Sequence, residues 1–172
     1  MNGGRPREPG NPPAMELAAV TGSAAFADAA LEVVGVARHE LALISVDLDR
    51  RLFGTEAFTD KLRSFILAHR RARLRVLVHD PVAAVRNSIR LVQFGRLLSS
   101  RIEFRAVPEE RRKLREEFLI ADERAVLYRS SPDQLEAKHY ADAPMVARSH
   151  LREFEALWNE AVVAREMSTL GI

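Results

Sequence analysis

Residues 115–132 read REEFLIADERAVLYRSSP, two apolar runs with charge at their ends. Arg115 precedes the first run, and Arg129 with Ser130 closes the second. Arginine is a fixed cation with five donors and no free lone pair, so it grips phosphate or carboxylate but cannot attack it. The residue types of Arg115, Arg129 and Ser130, and of Lys138 and His139 a few residues on, permit anion binding without selecting it. Glu116 and Glu117, next to Arg115, offer it an internal partner instead. A second set is acid–base in character: Asp47 and Asp49 in SVDLD, His79 and Asp80 in RVLVHDP. A histidine with carboxylates in reach supplies general acid–base catalysis. With Ser45 a Ser-His-Asp relay can be written, but no nucleophile elbow supports it.

These residues stand at the ends of expected elements. Glu16–Thr21 reads as a strand, followed by a helix capped by Ser23 in which Phe26, Ala30, Val33 and Ala37 share a face. Leu41–Asp47 is an apolar run with a polar end, suited to a buried strand. Thr55 caps the next helix, with Phe58, Leu62, Phe65, Ile66 and His69 on one side, and Arg73–His79 alternates as a strand. Asp80-Pro81 opens a third helix, with proline in a favoured first-turn position. It is expected to run to about residue 98, with Val82, Val85, Ile89, Val92, Phe94 and Leu97 around much of its circumference. Arg101–Val107, Glu117–Ala121, Ala125–Arg129 and Leu135–Tyr140 read as strands, the middle two joined by the polar turn Asp122-Glu123-Arg124. A long C-terminal helix then starts at Asp142 or Pro144, with Leu151, Phe154, Trp158 and Val162 facing inward. Strands alternating with helices imply a parallel sheet with helices on both faces, to which the late hairpin adds antiparallel strands.

The bulk properties narrow the class. The chain has 172 residues, no cysteine, 47% hydrophobic and 29% charged side chains, which suits one domain with a proper core. No apolar run reaches the roughly 18–20 residues that span a bilayer, so no membrane partner is expected. Residues 1–15, rich in Gly, Pro and Asn and without the apolar centre of a secretory signal, read as a disordered tail. The domain is placed at 16–166, with 167–172 as a C-terminal tail and the cytoplasm as the expected location. A net charge of +2 is too balanced for a typical nucleic-acid binder, which leaves nucleic acid only weakly supported. The run EERRKLREE, residues 109–117, mixes signs at short spacing like a solvated face. The five histidines are scattered and no glycine-rich phosphate loop occurs, so neither metal nor cofactor is expected.

The paired runs around Asp122-Glu123-Arg124 resemble the hairpin of phospholipase D-like proteins, in which His-x-Lys-x-x-x-x-Asp lies along the first strand and Gly-Ser-x-Asn closes the second. Placing Asp122 on the motif aspartate puts Arg115 at the histidine and Glu117 at the lysine. Arg129-Ser130-Ser131-Pro132 replaces the second motif and keeps only its serine. Leu151–Glu160, LREFEALWNE, is similar to the Phe-x-x-x-Trp helix that commonly follows in that family. The phrases SVDLD, RVLVHDP, LSSRIEFR and FEALW resemble, more narrowly, an uncharacterised proteobacterial group of such domains found alone or beside an acetyltransferase domain.

The resemblance implies an α/β fold equivalent to one phospholipase D-like half: a mixed, mostly parallel sheet with helices on both faces and a late antiparallel hairpin. In the family the histidine attacks phosphorus and the lysine stabilises the phosphoryl oxygens. Arg115 cannot attack, and Glu117 would repel the charge that the lysine stabilises. The resemblance therefore implies a catalytically inactive domain acting as a binding or assembly module. Its expected partners are a phosphate-containing ligand, a protein such as an acetyltransferase, and a second copy, because single-motif members pair their clefts. The alternative is a hydrolase or nuclease with a site rebuilt from Asp47, Asp49, His79, Asp80 or His139.

Overall fold

A computed structural model describes residues 17–168. The expected N-terminal tail and Glu16 lie outside the described residues. In chain order the elements are β1 (Leu17–Thr21), α1 (Ser23–Val36), β2 (Glu40–Ser45), α2 (Glu56–Ala68), β3 (Arg73–Val78), α3 (Pro81–Asn87), α4 (Ile89–Leu97) and β4 (Ile102–Ala106). A 3-10 turn at Glu109–Arg111 leads to β5 (Glu117–Ala121), β6 (Ala125–Arg129), β7 (Glu136–Tyr140), α5 (Pro144–Glu160), β8 (Val162–Val163) and α6 (Arg165–Ser168). The strands form one mixed sheet in the order β1-β7-β6-β5-β2-β3-β4-β8. Parallel pairing is confined to β2–β3 and β3–β4, where helices make the crossovers, and the other neighbours pair antiparallel. No helix among the described residues is long and apolar enough to cross a membrane.

Period-two alternation divides the core between the two faces of the sheet. Leu41, Leu43, Leu74, Val76, Leu119 and Leu127 face a layer made by α1 to α4 and α6. Ala42, Ile44, Leu77, Phe118, Ile120 and Val126 face α5 alone, through Phe154, Leu157 and Trp158. Arg75 and Arg105 also lie on the α5 side, their guanidinium carbons 5.4 Å and 4.2 Å from the Trp158 ring centre. Arg75 is further tied to Glu40 at 2.6 Å and Glu155 at 2.5 Å.

Several boundaries differ from expectation for tertiary reasons. The third helix is two helices, broken at Ser88, whose hydroxyl donates to the Leu48 carbonyl at 2.8 Å. The break turns Leu91, Val92 and Phe94 inward and leaves Val82, Ile89 and Leu97 exposed. The C-terminal helix stops at Glu160, so Val162 falls in edge strand β8 and is exposed. Gly22, not Ser23, is the N-cap of α1. Residues 167 and 168 are not a tail: α6 carries the fold through Ser168, Met167 is buried, and Arg96 donates to the Glu166 and Met167 carbonyls at 2.6 and 3.1 Å.

The β5–β6 turn forms as read. Asp122 (φ 52°) and Glu123 (φ 56°) both adopt the left-handed region that a tight hairpin needs, and the Arg124 N–H closes on the Ala121 carbonyl at 3.0 Å. The Asp122 carboxylate accepts from the N–H groups of Arg38, His39 and Glu40 at 2.7, 2.8 and 2.8 Å. At the position aligned with the motif aspartate, this residue fastens the hairpin to the α1–β2 connection.

Candidate functional site

Ligands of open α/β sheets bind beyond the carboxyl ends of the strands, and at that end this sheet gathers charge. β2 finishes at Ser45, β3 runs into His79, β6 finishes at Arg129, and antiparallel β5 begins at Glu117. The register sets Glu117 opposite Arg129, and the neighbouring Ile44–Phe118 pair brings Ser45 beside Glu117. By alternation with Leu119 and Leu127, Glu117 and Arg129 point into the α1 layer.

There they form a buried ion pair. Arg129 Nε donates to Glu117 Oε2 at 2.5 Å, and Nη2 presses on the same oxygen. Glu117 Oε1 accepts from the Ser45 hydroxyl at 2.7 Å and the Val46 N–H at 2.8 Å. Ser45 Oγ accepts in turn from the Leu48 N–H at 3.1 Å. Glu117 is 3% exposed and Arg129 6%, with the guanidinium stacked 4.8 Å over Phe26. Charges this desolvated persist only when paired and hydrogen-bonded. Arg129 is therefore held inside the fold, facing a carboxylate, and is not free to grip a ligand in the way its motif position implies.

Arg115 is placed differently. It is exposed on the segment before β5 and makes no hydrogen bond or ion pair among the described residues. Neither flanking glutamate takes it: Glu117 is committed to Arg129, and Glu116 accepts from the Tyr128 hydroxyl at 3.1 Å. Close by, His79 is 5% exposed, and its Nε2 is buried without a partner. Burial pushes the His79 pKa down, as does the positive charge of Arg112 and Arg115, against a hydrogen bond with the Arg112 backbone. The imidazole is held neutral.

The loop after β2 brings acid to the same end. Leu48, buried and left-handed at φ 52°, separates Asp47 from Asp49. Burial raises the Asp47 pKa, and the charges of Asp49 and Asp80 add to that, while Arg129 opposes. Burial also pushes Asp49 up, but hydrogen bonds from the Arg51 side chain and N–H, together with the charges of Arg51 and Arg129, leave it lowered. Asp80 caps α3, accepting from the Ala83 N–H at 2.9 Å.

The fold thus gathers Asp47, Asp49, His79, Asp80, Arg115 and Arg129 at one end of the sheet. Ser130 is exposed just beyond Arg129. Lys138 and His139 do not join them, because β7 runs back along β6. Lys138 pairs with Tyr128 and is exposed, and His139 pairs with Leu127 in mid-strand, its Nδ1 3.6 Å from Glu32. Among the described residues neither His79 nor His139 hydrogen-bonds a carboxylate. Ser45 donates to Glu117 rather than to His79, so the Ser-His-Asp relay is not assembled.

Arg112 is a member that sequence reasoning missed, hidden in a run that looked merely solvated. The Glu117–Arg129 pair had a readable signal: opposite charges at inward-facing, directly paired strand positions. A cavity of about 710 Å³ lies elsewhere, at the amino end of β2 beneath α5, with Arg75, Glu40 and Glu155 in its wall and already paired to one another.

The fold has solved counterparts. Nuc from Salmonella typhimurium, a phospholipase D family member, superposes with a TM-score of 0.62 at 15% identity, covering 86% of this chain and 98% of Nuc. TrmBL2, an archaeal chromatin protein with a novel mode of DNA binding, gives 0.63 at 15% identity over 88% of this chain and 55% of its own. Phosphatidylserine synthase from Haemophilus influenzae Rd KW20 gives 0.58 at 10% identity over 94% and 42%. The chain therefore spans almost all of Nuc but about half of the other two. No curated protein matches. The fold is phospholipase D-like, and a family model described as domain of unknown function (DUF7931) matches residues 22–170, so the chain belongs to that family.

Proposed function

We propose that this domain is a catalytically silent phospholipase D-like module that works by binding, taking a phosphate-bearing ligand at the strand ends through Arg115, with Arg112 and neutral His79 beside it. The observation that carries the silent half is the buried Glu117–Arg129 pair, with Ser45 and the Val46 N–H saturating the other carboxylate oxygen. Phosphoryl transfer needs a nucleophile and a cation on the phosphoryl oxygens. Here the aligned nucleophile is a guanidinium and the aligned cation a carboxylate. His79, the neutral imidazole nearby, is too enclosed for in-line attack and has no carboxylate to orient it. The binding half is supported by Arg115, an exposed cation without an internal partner next to a second arginine. Pairing of two such mouths in a homodimer belongs to the same reading.

Two measurements test it. Melting in inorganic phosphate and in phosphate mono- and diesters should show stabilisation that Arg115→Ala removes; no shift with any of them would leave a protein partner as the ligand. Incubation with a chromogenic phosphodiester should give no turnover above buffer. Turnover abolished by His79→Ala would end the silent reading in favour of a rebuilt hydrolase. Sedimentation at several concentrations reads the dimer directly.

A further inference from the structure

On the α5 side of the same strand ends, three side chains converge that the mouth does not use. Glu116 immediately precedes β5, and His150 and Glu153, three residues apart, share one face of α5. One ligand atom from each lies within 4.8 Å of the other two. The His150 ring is fixed before any ligand arrives, stacked on Tyr128 at 4.8 Å and 23° and lying 5.1 Å from Phe118. Its Nδ1 is buried with no hydrogen-bond partner, an uncommon state for a polar atom in a folded protein. The Tyr128 hydroxyl donates to Glu116 Oε1 at 3.1 Å, the kind of outer contact that orients a metal-binding carboxylate.

We propose that Glu116, His150 and Glu153 form a binding site for a divalent transition-metal ion of the zinc type. One imidazole and two carboxylates match the ligand preferences of such an ion and balance its charge, whereas magnesium and calcium favour all-oxygen sets. Ligand atoms about 2.0–2.2 Å from a tetrahedral zinc stand roughly 3.4 Å apart, so the three groups must draw together by about 1 Å or a little more. Glu153 is exposed and Glu116 half-buried, so both carboxylates have room to swing while the ring stays still. Three protein ligands leave a fourth position open. Glu116 and Glu153 also line a cavity of about 300 Å³ with Leu114, Phe118 and Leu157, which gives that open position a partly apolar surround.

Calorimetric titration of the full chain with zinc chloride and with magnesium chloride, in phosphate-free buffer, tests the site. The expected result is one zinc per chain at micromolar affinity or better and no comparable magnesium isotherm. Glu116→Gln and Glu153→Gln should each weaken zinc at least tenfold, with Glu153→Gln melting like the parent in chelator because the side chain is exposed. Replacing His150, packed between two rings, would confound folding with binding, so the histidine is followed by the ring nitrogen resonances of the parent. A zinc-induced shift at a His150 ring nitrogen supports the site. No stoichiometric zinc binding, or binding that both glutamine variants leave unchanged, overturns it.

Discussion

Removing Arg129 should expose what the buried pair does. Arg129→Ala leaves Glu117, 3% exposed, as a lone buried carboxylate. Breaking such a pair from one side typically costs about 3–5 kcal/mol. Glu117 would keep its bonds from Ser45 and Val46, which puts the expected loss near the lower end, about 3 kcal/mol. With an unfolding entropy of about 2.1 cal/mol/K per residue over roughly 150 ordered residues, that loss lowers Tm by about 10 °C. Replacing both partners by neutral side chains of similar size, Glu117→Gln with Arg129→Met, removes the stranded charge and should return to within about 1 kcal/mol of the parent. The assay is a double-mutant cycle of Glu117→Gln and Arg129→Met by urea unfolding followed by circular dichroism; with each single change costing about 3 kcal/mol and the pair about 1 kcal/mol, a coupling energy of about 5 kcal/mol is expected. An Arg129→Ala loss below about 1 kcal/mol, or single costs that simply add, would refute the buried-pair account. The same reasoning predicts that Glu117→Lys alone, though it restores the motif residue, fails to fold stably because it buries a second cation against Arg129.

Three other perturbations probe the remaining contacts. His79 and His150 have folded pKa values below the ordinary 6.5, so the unfolded chain binds more protons there and stability rises with pH; Tm should therefore fall as pH drops from about 7 toward 5, and a rise on acidification would contradict the burial of both rings. Asp122→Ala removes a carboxylate that accepts three backbone N–H groups and should cost about 2 kcal/mol in urea unfolding, with Asp122→Gly, which tolerates the turn's positive φ, recovering only part of it. Gly95→Ala gains roughly 1 kcal/mol of helix propensity but places a Cβ 2.3 Å from the Phe104 ring; the clash should win, for a net loss of about 1–2 kcal/mol, and a rise in Tm would show that α4 yields easily.

How much of the fold is legible in the sequence depends on how local each cause is. The β5–β6 hairpin is legible because its turn residues tolerate left-handed backbone and its strands alternate, both properties of adjacent residues. Thr55 and Asp80 are legible as caps for the same reason. The break at Ser88 is not, because its cause is a hydrogen bond to Leu48, forty residues away. The end of α5 is hidden in a similar way: Val162 continues the apolar spacing of the helix, yet it leaves the helix to pair with Ala106 of β4. At the site, the polar strand ends can be located from the sequence, but Arg115 and Arg129 look equivalent along the chain. Only the register across β5 and β6 makes one an internal counter-ion and leaves the other facing solvent.

That difference bears on which side chains the strand ends can tolerate. A glutamate in the place of the motif lysine, standing alone, would bury a carboxylate several kcal/mol out of equilibrium with water. An arginine in the place of the motif glycine, standing alone, would bury a cation at similar cost. The two substitutions are tolerable only together, and the register that pairs Glu117 with Arg129 satisfies both. The space at these strand ends is filled by a matched pair whose remaining acceptor is taken up by Ser45 and the Val46 N–H. The filled pocket fixes the ends of β2, β5 and β6 relative to one another. It also sets the direction of the neighbouring positions, since strand alternation turns Glu116 and Tyr128 toward α5 wherever Glu117 and Arg129 turn toward α1. A charge pair on one face of the sheet therefore positions the carboxylate and hydroxyl that meet His150 on the other.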